Sequence, residues 1–138
     1  MRPPLHLLIV SSRLENKKAL LNVIQGLPVD VRTTSTIEHA WEVLMGQPID
    51  VIFCDERLPD GSYPDFLSAV RSEHPTTRFV VLLTSEDDWQ DFLEAIRLGA
   101  SDVLRGSYRP TDVELALIRA GREVAQGQRE RLYLPASV

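Results

Sequence analysis

The sequence predicts an α/β protein built around a parallel β-sheet, and two observations lead to this prediction. First, Val51–Cys54 and Phe79–Leu83 are continuous apolar runs, each followed by polar residues. Runs of this length are typical of strands buried on both faces, as in the middle of a parallel sheet. Second, segments with the spacing of amphipathic helices alternate with these runs and with three further strand-like segments.

The predicted elements follow one another in strict order along the chain. Strands are predicted at residues 5–10, 29–33, 51–55, 79–83 and 102–105. Helices are predicted at 13–25, from about 35 to 46, at 65–73, at a segment ending at 99, and at 110–126. The alternating pattern of the second strand is typical of a sheet edge. Ser35 and Glu38 have the spacing of a capping box, and Phe92, Leu93 and Ile96 are predicted to form the buried face of the fourth helix.

Five strand–helix pairs in this order predict right-handed crossovers and helices on both faces of the sheet. The architecture that accommodates them is the doubly wound, flavodoxin-like (βα)5 fold with a five-stranded parallel sheet. Residues 1–126 are predicted to form one domain, and residues 127–138 a C-terminal tail or linker. Asp55 ends the central strand, and the carboxyl edge of such a sheet is where ligands bind.

Composition excludes several classes of function. The chain has 138 residues and a net charge of −5, so neither nucleic acid nor an anionic membrane is favoured as a direct partner. No apolar run is long enough to span a bilayer, and the single cysteine, Cys54, cannot form a disulfide framework. We therefore expect a cytoplasmic protein.

Three short motifs at the strand ends carry a family resemblance over residues 5–126. They are Asp55 followed by Leu58-Pro59-Asp60-Gly61-Ser62, Thr84 at the end of the fourth strand, and Gly99-Ala100-Ser101-Asp102 before the fifth. With these motifs the chain resembles the receiver domain of two-component response regulators. The resemblance implies a role in phosphorelay signal transduction, as a signalling module and not as an enzyme acting on free substrates.

The resemblance also implies a set of site residues. In that family an aspartate at the position of Asp55 accepts a phosphoryl group from a histidine kinase or phosphotransfer protein. An acidic pair after the first strand, this aspartate and the backbone carbonyl at the position of Arg57 hold Mg²⁺. The switch hydroxyl, here Thr84, closes on the phosphate, and a lysine after the fifth strand pairs with it. Metal and ammonium are needed because the transferred group is anionic.

The chain departs from this set at several positions. Ser11 and Ser12 occupy the positions of the acidic pair, Gly106 that of the lysine, and Val103 that of the aromatic switch residue. Mg²⁺ prefers anionic oxygen ligands, so Asp55 with neutral groups predicts weak binding. We therefore expect an atypical receiver domain with an incomplete phosphorylation site.

Three functions stay open at the level of sequence. The first is a phosphorylation-independent module that controls an output domain or partner by protein contact, and the missing charges favour it. The second is a receiver in which Asp55 still accepts phosphate. The third is a small flavodoxin-like enzyme or cofactor binder, which the absence of a glycine-rich loop after the first strand disfavours.

The pattern of apolar and basic residues in the last helix predicts an interface. Leu115 and Ile118 lie off its inner stripe, with Arg119 and Arg122 beside them. The fourth helix and the residues before it carry acidic side chains at Glu86, Asp87, Asp88, Asp91 and Glu94. Apolar centres flanked by opposite charges can pair about a two-fold axis, so we expect a homodimer through the fourth and fifth helices.

Overall fold

The computed structural model describes residues 4–85 and 89–133, with side chains as far as residue 126. The elements follow in the order β1 Leu5–Val10, α1 Leu14–Ile24, β2 Val29–Thr34, α2 Ile37–Gly46, β3 Val51–Asp55, β4 Arg57–Leu58, β5 Gly61–Ser62, α3 Tyr63–Glu73, β6 Arg78–Leu83, α4 Trp89–Leu98, β7 Asp102–Arg105 and α5 Pro110–Tyr133. Five strands form one parallel sheet in the order β2-β1-β3-β6-β7, and β4 and β5 form a small antiparallel hairpin. The predicted doubly wound fold is confirmed.

The sheet separates two hydrophobic cores because side chains alternate between its faces. Residues such as Leu8 and Ile52 pack with the buried side chains of α2, α3 and α4. Residues such as Leu7 and Phe53 pack with those of α1 and α5. β3 lies in the centre and is fully buried, and β2 lies at an edge as its alternating sequence predicts.

The predicted capping box at Ser35 and Glu38 is wrong. Helix α2 begins at Ile37, and its N-cap is Thr36, whose side chain accepts a hydrogen bond from the backbone N–H of His39. The first two amides of the helix donate instead to the carboxylate of Asp60, at 3.0 Å each. Asp60 lies in the turn between β4 and β5, so a residue distant in the sequence caps the helix in place of the predicted local motif.

The predicted buried face of α4 is also wrong. Leu93 and Ile96 are exposed, Phe92 is half-buried, and the buried residue of the helix is Ala95. A small side chain at the contact lets a helix approach the sheet closely, and larger side chains are then turned outward. Helix α4 therefore presents apolar side chains to solvent, including that of Trp89.

The boundaries of two other helices differ from those predicted. Helix α3 begins at Tyr63, directly after the hairpin and with Pro64 in its first turn. Helix α5 continues to Tyr133, so residues 127–133, which were predicted to belong to a tail or linker, are helical. Where the domain ends within this helix stays a prediction.

Candidate functional site

The candidate site lies at the carboxyl edge of the sheet, where Asp55 ends the central strand. Its side chain is only 2% exposed, although it is charged and ends a strand. Strand alternation places Asp55 on the same face as Val51 and Phe53, which is the face covered by α1 and α5. The carboxylate is thus directed toward the beginning of α1 and the connection between β7 and α5.

Neutral donors surround the carboxylate of Asp55. Its Oδ2 accepts hydrogen bonds from the hydroxyl of Ser11 (2.9 Å) and the backbone N–H of Ser12 (3.1 Å). Its Oδ1 accepts one from the side-chain amide of Asn16 (2.8 Å). Within the ranges 4–85 and 89–126, no cationic side chain forms an ion pair with Asp55. Three hydrogen bonds, and not a counter-charge, therefore satisfy this buried group.

A second layer connects this site to the end of the sheet. The side-chain oxygen of Asn16 accepts a hydrogen bond from the hydroxyl of Tyr108 at 3.0 Å. Burial, followed by the nearby charge of Asp55, raises the pKa of Tyr108 to about 12, although Arg13 acts in the opposite direction. Asn16 and Tyr108 were missed at the level of sequence, because these contacts join residues that are 39 and 92 positions apart.

The hydroxyl of Thr84 has a different partner from the one that the resemblance implies. It donates to Oε2 of Glu56 at 2.9 Å, and the backbone N–H of Thr84 points to the same oxygen at 3.4 Å. Glu56 follows Asp55 directly and lies on the opposite face of the strand. Thr84 thus lies at the predicted edge of the sheet, but in the described structure its hydroxyl is bound on the side away from Asp55.

The end of β7 carries no cation aimed at Asp55. Gly106 has a positive φ of 54° and its backbone N–H donates to the carbonyl of Leu83. Val103 is buried in the core beside α4. Arg105 lies on that side as well, with its guanidinium 4.6 Å from the ring centre of Trp89 and 5.1 Å from that of Phe92.

The donors at this site do not fit a tightly bound Mg²⁺. Among the described residues, no group of three or more histidine, cysteine, aspartate or glutamate side chains is close enough to hold a metal. Asp55 is the one carboxylate of the predicted set, and its Oδ2 already accepts two hydrogen bonds, from Ser11 and Ser12. The backbone carbonyl of Arg57 adds a neutral oxygen only. A hard divalent cation is bound more strongly by several anionic oxygens.

Cys54 takes no part in the site. It is fully buried between β1 and β6, and burial, followed by the charge of Asp55, raises the pKa of its thiol well above the usual value. The thiol therefore stays protonated and behaves as a small core side chain.

The structure places the predicted interface residues on the outside of α5. Leu115 is 48% and Ile118 is 50% exposed, and Arg122 is exposed beside them. Arg119 is already bound within the chain, because its guanidinium lies 3.0 Å from Oδ2 of Asp102. On the acidic side, Asp91 and Glu94 belong to α4, whereas Glu86, Asp87 and Asp88 lie outside the described residues.

No helix in residues 4–85 and 89–133 is both long enough and apolar enough to cross a membrane.

Comparisons with known proteins agree with this architecture. The chain is 29% identical over 106 residues to the response regulator protein PilR of Pseudomonas aeruginosa, a match covering 77% of this chain and 23% of PilR. It is 33% identical over 78 residues to the luminescence regulatory protein LuxO of Vibrio campbellii, covering 56% of this chain and 17% of LuxO. The chain thus spans less than a quarter of the length of either relative.

A similar fold occurs in the signal receiver domain of an HD domain-containing protein from Pseudomonas fluorescens Pf-5. The two structures superpose with a TM-score of 0.83 at 21% identity, and the match covers 97% of this chain and 96% of the other. Residues 7–117 match the family described as the response regulator receiver domain. The fold and the carboxylate at its central strand end define a two-component signalling module, and the chain belongs to the response regulator receiver domain family.

Proposed function

We propose that this chain is an atypical receiver domain that controls an output domain or partner by protein contact, largely independently of phosphorylation at Asp55. The observation that carries this proposal is the set of three neutral hydrogen bonds around the Asp55 carboxylate. Donors of the protein itself therefore satisfy the carboxylate. Receiver domains interact with histidine kinases and output domains, and the second of these interactions is the one that we assign here.

Phosphoryl transfer needs positive charge where negative charge develops, because the transferred group carries its charge on three oxygens. In this chain the donors nearest to Asp55 are a hydroxyl, a backbone amide and a side-chain amide. Gly106 occupies the position that the family gives to a lysine. Each missing charge typically removes a few kcal/mol of transition-state stabilisation. We therefore expect Asp55 to accept phosphate slowly, and Mg²⁺ to bind in roughly the millimolar range or more weakly.

The second candidate is a receiver in which Asp55 is fully functional as phosphoacceptor. The observation in its favour is position, because Asp55 ends the central strand and Thr84 follows the strand beside it. In that case Thr84 must leave Glu56, and Asn16 must release Oδ1 of Asp55, before a phosphoryl group can be bound.

Restoring charge distinguishes the two candidates. Ser12→Asp combined with Gly106→Lys should raise the rate of Asp55 labelling by acetyl phosphate by roughly tenfold or more, measured by intact mass. Asp55→Asn should abolish labelling. The matched control is Ser12→Asn with Gly106→Gln, which adds similar side chains without charge and places the same kind of residue at the left-handed backbone of Gly106. A wild-type chain that is labelled as fast as the charged variant would refute the proposal.

For the contact surface, we propose pairing through α4 and α5. Both helices pack against the edge strand β7 and carry exposed apolar side chains, among them Leu93 and Ile96 on α4 and Leu115 and Ile118 on α5. Acidic side chains on α4 and basic side chains on α5 would meet their opposites in a second copy related by a two-fold axis. In such an interface the apolar groups supply buried area, and the charges fix the register.

A further inference from the structure

The hydroxyl of Tyr108, the side chain of Asn16 and the carboxylate of Asp55 form one continuous chain of hydrogen bonds. The two links measure 3.0 Å and 2.8 Å. Asn16 uses both ends of its amide, because its oxygen accepts from the tyrosine and its nitrogen donates to the aspartate. Because the amide nitrogen can only donate and the amide oxygen can only accept, the two partners together determine the orientation of the amide.

This series of hydrogen bonds joins three parts of the fold that are distant from one another in the sequence. Asp55 ends β3, Asn16 lies in the first turn of α1, and Tyr108 lies in the connection between β7 and α5. Tyr108 also lines an open groove of about 350 Å³ along β7 and α5, whose other walls include Asp102, Arg105, Leu115 and Arg119. A residue that contacts the Asp55 site through one bridging side chain therefore forms part of the outer surface beside α5.

Thr84 and Val103, the switch positions that the family resemblance implies, make no hydrogen bond with Asp55 in the described structure. The hydroxyl of Thr84 is bound to Glu56 on the opposite face of the sheet. Val103 is an aliphatic core residue with no polar atom in its side chain. The hydrogen bonds of Asn16 give a polar link between Asp55 and the β7–α5 connection.

We propose that Asn16 couples the state of the Asp55 carboxylate to the position of Tyr108, and through it to the groove beside α5. If the Asp55 carboxylate is removed, or if another group binds it, the amide nitrogen of Asn16 loses its hydrogen-bond acceptor. The amide is then free to rotate, its oxygen no longer faces Tyr108, and the β7–α5 connection loses one of its anchors. The coupling holds whether or not the group that engages Asp55 is a phosphoryl group, so it does not rest on the proposed function.

The electrostatic effect on Tyr108 agrees with this geometry. The charge of Asp55 contributes to the raised pKa of the phenol, so the two side chains influence each other across the intervening amide. This influence acts through space and would persist without Asn16. A test of the proposal must therefore separate the through-space charge effect from the hydrogen-bonded link.

The experiment compares Asp55→Ala in the natural chain and in an Asn16→Leu background. Amide hydrogen exchange is measured over residues 107–113, and the phenol of Tyr108 is titrated by ultraviolet absorbance in a chain that also carries Tyr63→Phe and Tyr133→Phe. In the natural chain, Asp55→Ala should speed exchange over 107–113 by about fivefold, the factor expected for the loss of one hydrogen bond of roughly 1 kcal/mol. In the Asn16→Leu background it should cause no further change in exchange, although the pKa of Tyr108 should still fall.

Tyr108→Phe is the second variant, because it removes the hydroxyl and retains the ring. It should speed exchange over 107–113 to the same extent, and Asp55→Ala should then add nothing. If Asp55→Ala does not fold, Asp55→Val, which also lacks a hydrogen-bond acceptor and leaves a smaller space, replaces it in the same design. Equal acceleration with and without Asn16 would overturn the proposal, as would an unchanged exchange rate in the natural chain. Neither result depends on whether acetyl phosphate labels Asp55.

Discussion

Glu56 holds the hydroxyl of Thr84 at 2.9 Å, on the face of the sheet opposite to Asp55. The residue directly after the candidate phosphoacceptor thus binds the side chain that, by family resemblance, would close on the phosphate. Both residues are at least partly accessible to solvent, so the link is weak in energy. The link matters because it holds the hydroxyl of Thr84 on the side of the sheet away from the Asp55 carboxylate.

This link predicts that Thr84→Val will leave acetyl phosphate labelling of Asp55 unchanged. The hydroxyl cannot assist a reaction at Asp55 while it is bound to Glu56. The variant should lose about 0.5–1 kcal/mol in the free energy of unfolding, the usual value for one hydrogen bond. In a Glu56→Ala background the hydroxyl is released, and only there should Thr84→Val slow the labelling. A slower reaction of Thr84→Val in the natural chain would contradict the assignment.

Binding of Mg²⁺ should be weak. In a Trp41→Phe chain, Trp89 is the remaining tryptophan, and its fluorescence reports on the beginning of α4. With a single carboxylate available, we expect no saturation below roughly millimolar Mg²⁺. Ser11→Asp with Ser12→Asp should bring the transition to lower concentration. A saturable change at about tens of micromolar in the parent chain, lost on Asp55→Asn, would show that the donors are sufficient after all.

The chain should dimerise without phosphorylation. Sedimentation of the unmodified protein should show a dimer, and Ile118→Glu should convert it to a monomer without unfolding, because the new carboxylate would be buried without a partner at the centre of the interface. Met45→Glu is the matched control, since Met45 is 83% exposed on α2 and lies outside the proposed surface. A natural chain that remains monomeric at high concentration would exclude the dimer. A dimer that persists in Ile118→Glu would locate the interface elsewhere.

Alkaline pH should destabilise the fold. Burial, followed by nearby acidic charges, raises the pKa of Tyr63 to about 12, and that of Tyr108 is raised to about 12 as well. Both values exceed the ordinary tyrosine pKa of 10.0, which applies to an unfolded chain, so the folded state retains these protons to higher pH. The contribution is fully present below pH 10 and is lost as the pH rises through 12.

Urea unfolding between pH 9 and about pH 12 measures this effect. Tyr108→Phe should flatten the decline in the free energy of unfolding over that interval, and Tyr63→Phe should do the same. Both changes together should flatten it further, because the two phenols titrate at separate sites. A slope identical to that of the parent chain in the double variant would show that other groups, such as lysines, cause the alkaline loss.

What sequence could predict here was whatever depends on local pattern. The apolar runs around Phe53 and Val81 identified the central strands, and the position of Asp55 at the end of one of them followed directly. What it could not predict depends on which helix face meets the sheet and on contacts between distant residues. On α4 the buried residue is Ala95 and not Leu93, because the small side chain lets the helix approach the sheet closely. Hydrophobicity alone does not decide which face of the helix meets the sheet.

The same distinction explains what was missed at the site. Asn16 lies within an amphipathic helix, and nothing in its neighbours distinguishes it from a solvent-exposed polar residue. Its role follows only once the fold has brought α1 beside the end of β3. Likewise, strand alternation turns Glu56 away from Asp55, but its hydrogen bond to Thr84 depends on the register of β3 against β6.

The length of α5 has a mechanical consequence. At 24 residues the helix is about 36 Å long, whereas the six-residue strand β1 spans only about 20 Å. A rigid rod of this length acts as a lever with its pivot at Pro110, next to the connection that carries Tyr108. A tilt of only about 5° at the pivot moves the far end by about 3 Å. Small displacements beside the Asp55 site would therefore be larger at the Tyr133 end of the helix.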